Sequence, residues 1–127
     1  MPETHRDGVL RSLQGALEAL AWPADRQMAL FPELLVPGGE LAREFDNWYS
    51  VLIRSRYDRD LPEGARESLY ELDHALDEMV DAREHLFSAQ GVAESVEWAR
   101  IRVVAAEALR AIDWPEGEAG GPPGEET

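Results

Sequence analysis

This chain of 127 residues carries 26 aspartates and glutamates against 12 basic residues, a formal net charge of −14, and it has no cysteine. The length suits one domain with a core of its own, while the charge repels DNA, RNA and anionic lipid, which need cationic surfaces to displace their counterions. Without thiols there is no disulfide framework and no zinc–thiolate site. No apolar run approaches the roughly 20 residues that span a bilayer, and Met1 to Val9 lacks the apolar core of a signal peptide; the expected location is the cytoplasm.

Apolar spacing is helical nearly throughout. Leu10, Leu13, Leu17 and Leu20 predict a first helix over Arg6 to Ala21, stopped at Trp22-Pro23 because a residue before proline is pushed out of the α region. A short helix from Ala24 to Leu30 follows, closed by Phe31-Pro32. Val36-Pro37-Gly38-Gly39 reads as a loop. The third helix is predicted over Glu40 to Arg56, with Leu41, Phe45, Trp48 and Leu52 buried. Trp48→Ala is therefore expected to be among the most damaging single changes. Asp60 has the chemistry of an N-cap for the fourth helix, with Glu63 completing a capping box and Pro62 in the first turn.

The fourth helix, continuing to about Arg83, is the most informative element. Glu63 to Glu84 holds eight carboxylates and two arginines. Leu69, Leu72, Leu76 and Met79 share one face, and the opposite face reads Glu63, Glu67, Tyr70, His74, Glu78, Asp81. Leu86 to Glu94 is expected to be a connector with at most one helical turn. Ser95 caps a last helix over Val96 to Asp113, whose stripe is Trp98, Ile101, Ala105, Ala108 and Ile112, flanked by Val104 and Leu109, with Trp114-Pro115 as its stop. Trp22 and Trp114 both fall where a ring can fold back over a closing helical turn. Glu116 to Thr127 is Gly-, Pro- and Glu-rich and has nothing to bury.

Chemical motifs are few. His74, Glu78, Asp81 and His85 share a helix face, and Glu71-x-x-His74 has the spacing used in di-iron carboxylate bundles. Such bundles need a second copy of that pair and further inward glutamates, whereas these residues lie opposite the leucines and face water. Asp46, at the edge of the third helix's stripe, reads as a boundary carboxylate. No Gly-x-Ser-x-Gly, phosphate loop or His-Glu-x-x-His occurs. The expectation is a protein that is not an enzyme and holds no cofactor or metal. Tyr70 on the acidic face has the character of an interface anchor, since tyrosine and arginine dominate binding hot spots; the alternative is a ring lying across a neighbouring helix end.

From Leu30-Phe31-Pro32 through Glu40-Leu41-Ala42 and Glu44-Phe45-Asp46-Asn47-Trp48 to Trp98, Arg102, Ala105, Leu109, Ile112 and Trp114, the pattern resembles a group of small acidic bacterial proteins. These are similar in size and helical make-up to the immunity proteins of bacterial toxin systems. The matching positions are core residues and helix stops, so the resemblance implies a shared fold and carries over no functional residue.

The expected architecture is an all-α bundle of four principal helices plus one short helix over residues 1–115, with a disordered acidic tail at 116–127. The expected function is recognition of a basic protein partner by Glu67, Tyr70, His74, Glu78 and Asp81, with an immunity-type inhibitor of a cationic toxin as its concrete form. The alternatives are a ligand- or metal-binding helical protein with a site between helices, and an acidic nucleic-acid mimic or adaptor. Because the tail has no apolar side chain beyond Ala119, deletion of Glu116 to Thr127 is expected to leave the melting temperature unchanged, as read by thermal circular dichroism.

Overall fold

Thr4 starts the first helix by accepting a hydrogen bond from the Asp7 amide on its Oγ1 at 3.0 Å, which satisfies one of the orphan donors of a helix start. The computed structural model describes residues 4–30, 37–82, 84–112 and 114. Helix α1 spans His5–Ala21 and α2 spans Ala24–Leu30, both close to expectation. Val9, Leu10, Leu13, Leu17 and Leu20 are buried along α1.

Gln27 on α2 is fully buried. Its Nε2 donates to the carbonyls of Ala19 and Leu20 at 2.9 Å each, and its Oε1 accepts from Arg102 Nη1 at 2.9 Å. The same Arg102 nitrogen donates to the Val92 carbonyl at 3.1 Å. Burial lowers the pKa of Arg102.

Helix α3 spans Pro37–Arg54, so the loop predicted at Pro37 to Gly39 is instead its first turn; Val36 and the Phe31-Pro32 stop lie outside the described residues. Proline suits a helix start, where its missing N–H has no partner to lose. Gly38 is there because of what it touches. A Cβ on it would stand 2.8 Å from the Trp98 ring and 3.0 Å from the Phe87 backbone. Leu41, Phe45 and Leu52 are buried as expected, but Trp48 is only half-buried and packs on the core from its edge. The helix stops two residues before Arg56, which takes the left-handed conformation at φ 63°.

A 3₁₀ turn over Tyr57–Asp60 follows. The capping box does not form, because Asp60 belongs to this turn and its carboxylate accepts from Arg6 Nε at 3.2 Å. Beside it, His5 Nδ1 and the Tyr57 hydroxyl are hydrogen-bonded at 2.6 Å. Pro62 takes the cap position, its carbonyl accepting from the Arg66 amide at 3.0 Å, and α4 spans Glu63–Ala82; Arg83, the predicted end, lies outside the described residues.

The stretch expected to be a mere connector holds a 3₁₀ turn, Glu84–Phe87, and a helix α5, Ala89–Glu94, capped by Ser88. Leu86, Phe87 and Val92 are buried, so it closes the core rather than crossing its surface. Helix α6 spans Val96–Ala111, and Ser95 Oγ accepts from the Trp98 amide as expected. Trp98 is fully buried, its Nε1 donates to the Leu86 carbonyl at 2.7 Å, and Phe87 meets it edge-on with centroids 6.0 Å apart. Trp114 folds back so that its Nε1 donates to the Leu109 carbonyl at 3.0 Å. Trp22 instead carries the Arg26 guanidinium 4.0 Å above its ring.

The described residues form an all-α bundle without strands. Helix α6 packs between α4 and α1, and α1 packs in turn on α3, while α5 and the second 3₁₀ turn touch α2, α3, α4 and α6. The tail, residues 116–127, lies outside the described residues. Because Trp98 combines full burial with a hydrogen bond to the Leu86 carbonyl, Trp98→Ala is expected to cost about 3–5 kcal/mol. Trp48→Ala should cost clearly less; urea unfolding of both variants measures the order.

Candidate functional site

The leucine stripe fixes which side of α4 meets water. Leu69, Leu72, Leu76 and Met79 are buried, while Glu67, Tyr70, His74 and Glu78 are exposed. The Asp81 side chain lies outside the described residues, as does that of His85. Tyr70 is 66% exposed, so it does not lie across a neighbouring helix end. Its ring stacks on His74 at 6.1 Å between centroids with 5° between planes. One turn further on, His74 Nε2 stands 3.3 Å from Glu78 Oε2. The four-residue spacing that places these three side chains in a row also lets each limit the rotamers of the next.

Glu71 does not join His74 in a ligand pair. Its carboxylate accepts from Arg100 on α6, and that hydrogen bond, ahead of the charge attraction, raises the pKa of Arg100. Among the described residues no group of three or more His, Asp or Glu side chains is placed to hold a metal ion.

A second acidic zone runs along the α3 side of α4. Burial, then the charges of Asp77 and Asp46, raise the pKa of Asp73 above its ordinary value, with His74 opposing. Burial and the nearby Asp73 and Asp58 charges push the Tyr49 hydroxyl up to about 12, and Tyr49 stacks on Phe45 at 5.3 Å. Asp46, the predicted boundary carboxylate, thus adds to this concentration of like charge. The four-residue step from Asp73 to Asp77 and the three-residue step from Asp46 to Tyr49 were present in the sequence. What the sequence lacked was the crossing of α3 and α4 that brings them together.

Where α4 crosses α6 there is an open groove of about 260 Å³, lined by Ala75, Glu78, Met79, Leu86, Glu97, Arg100 and Ile101. Another, of about 300 Å³, lies between α1 and α3 along Gly15, Ala16, Leu41 and Trp48. No helix among the described residues is long and apolar enough to cross a membrane. No protein-family model, curated protein or solved structure matches this chain.

The raised pKa values fix the direction of two pH effects. A group whose pKa is higher in the fold than in the unfolded chain stabilises the fold below its unfolded pKa, and that contribution is lost as pH rises through the folded value. Ionised Asp73 therefore weakens the fold at neutral pH. Asp73→Asn is expected to raise the melting temperature at pH 7, with the gain shrinking as pH falls through the raised folded value and largely gone below the ordinary aspartate value of 3.8. Tyr49→Phe should remove a loss of stability that the parent shows between 10.0 and about 12. Thermal melts across both ranges check the two signs.

Proposed function

We propose that this protein recognises a basic protein partner through the outer face of α4, with an inhibitor that occludes a cationic enzyme, as toxin immunity proteins do, as the specific form. The observation that supports this best is the row Tyr70–His74–Glu78: an aromatic ring left 66% exposed, stacked on its neighbour, on a face that also presents Glu67. A merely solvated helix face has no need of an aromatic ring left in water. At an interface, an amphipathic tyrosine ring, with few side-chain torsions, loses little conformational freedom on binding.

The surrounding charge has a separate role. A chain at −14 accelerates encounter with a cationic protein and repels acidic ones, so its field selects the partner while Tyr70 holds it. The same field disfavours nucleic acid as a direct ligand. The reading makes the protein a binding module rather than an enzyme, and assigns Glu67, Tyr70, His74 and Glu78 to the contact, with Asp81 on the same helix face by its spacing.

The test is affinity capture from lysate of the source cell with the parent, with Glu67→Arg/Glu78→Arg and with Tyr70→Ala, followed by kinetics on the captured protein. All three positions are exposed, so the variants should melt at or near the parent temperature. The charge reversal is expected to slow association by about an order of magnitude, and Tyr70→Ala to speed dissociation with little change in association. Equal capture of one partner by all three proteins would place the binding surface elsewhere.

A further inference from the structure

We propose that the outward line of α6 is a self-association surface that pairs, antiparallel, with the same line of a second copy of this chain. Helix α6 buries Trp98, Ile101, Val104, Ala105 and Ala108 on one side. Directly opposite, where a surface helix ordinarily carries its charge, stand Val96, Ala99, Val103 and Ala106. Val96 and Val103 are 79% and 57% exposed, two of the four large apolar side chains left in water among the described residues. Ala99 is exposed and Ala106 half-buried.

The steps along this line are three, four and three residues, the spacing of a seam between two helices. Valine holds one seam position in both heptads and alanine the other. In an antiparallel pair the two kinds of position meet each other. Val103 of one copy then lies over Ala99 of the second, and Val96 over Ala106, so every layer sets a larger side chain on a small one. Such layers let two helices approach to about 8 Å, the close end of the usual range.

Charge selects the same pairing. Arg100 and Glu107, one heptad apart, flank the seam on the α4 side. Antiparallel helices bring equivalent flanks together, so Arg100 faces Glu107 of the second copy and Glu107 faces Arg100. A parallel pair would set Arg100 beside Ser95 instead. Glu107 is exposed and has no ion-pair partner among the described residues. Arg100 already donates to Glu71, yet its side chain remains 66% exposed, and a guanidinium offers donors along two edges. The seam therefore complements itself under a two-fold axis.

This contact is separate from the α4 reading, because the line has no carboxylate with which to choose a basic partner. Its strength is limited in two ways. Val96 to Ala106 spans about 15 Å, short for an interface of the stable class, which buries about 1,200–2,000 Å². The two-fold also sets both α4 helices on one side, so two chains at −14 each repel. The dimer is accordingly weak, and salt favours it by screening that repulsion.

Sedimentation velocity of the full chain, from micromolar to millimolar concentration, tests this. The mass is expected to rise towards twice that of the monomer, at lower concentration when salt is high. Val103→Glu should hold the chain monomeric while melting with the parent. Ile53→Glu, the same change at a 42% exposed site on α3, should leave the dimer intact. Glu107→Arg should weaken it by up to about tenfold, since two symmetry-related exposed pairs are lost. The chain has no cysteine, so introduced ones report the register: Ala99→Cys mixed with Val103→Cys should cross-link under mild oxidation faster than either variant alone. A monomer at every concentration and salt, a dimer that survives Val103→Glu, or either cysteine variant cross-linking alone as fast as the mixture would overturn the proposal.

Discussion

A helix that ends inside a protein leaves carbonyls without donors, and in α1 two of them, Ala19 and Leu20, are met by one side chain. Gln27 donates to both and accepts from Arg102, which reaches on to the Val92 carbonyl. Each link removes a polar group that would otherwise cost about 1–3 kcal/mol to bury unpaired. The clamp therefore locates α1, α2, α5 and α6 at one point. Because the links share Gln27 and Arg102, loss of either side chain leaves buried polar groups short of a partner, and such networks favour one packing over near neighbours. The burial that lowers the pKa of Arg102 is an opposing cost, met by the two carbonyl-type acceptors around it.

The acidic face inherits its position from that clamp. Helix α6 is held by Arg102 on one side and offers Ile101, Val104 and Ala108 to the core, and α4 packs along it. Glu71 then reaches across to Arg100 outside the core. Two different forces thus bear on α4: leucine burial sets its rotation, and an ion pair of small energetic worth marks its register against α6. Repulsion among Asp46, Asp73 and Asp77 on the α3 side is tolerated because burial of apolar side chains outweighs it.

What the sequence made legible follows from local physics. Leucine spacing gives the burial of α1, α4 and α6, and proline gives the stop of α1, since both act within a turn or two of the chain. The failures were all nonlocal. Gly38 reads as loop until the Trp98 ring is set against it. Asp60 reads as a cap until Arg6, far away in sequence, takes its carboxylate. Trp48 has the right spacing for the core, yet the tryptophan that fills the centre is Trp98, and which of two suitable rings is enclosed depends on how helices cross. Glu67, Tyr70, His74 and Glu78 were legible as an exposed row because exposure is the complement of a clear apolar stripe. The α4–α6 groove was not, because it belongs to no single helix.

The contact between Gly38 and Trp98 sets an order of events. The first turn of α3 has no apolar face of its own to hold it, and the surface it packs on is an indole sixty positions later, supported by Phe87. Gln27 likewise waits for Arg102. Closing such wide loops precedes the contacts that compensate for them, so folding should be slower than for an up-and-down bundle with neighbour-only contacts. During synthesis the amino-terminal half emerges before the element that completes it, and its leucine stripes must remain unaggregated until α6 arrives. A strongly negative chain is well suited to that interval, since mutual repulsion keeps unfinished copies apart.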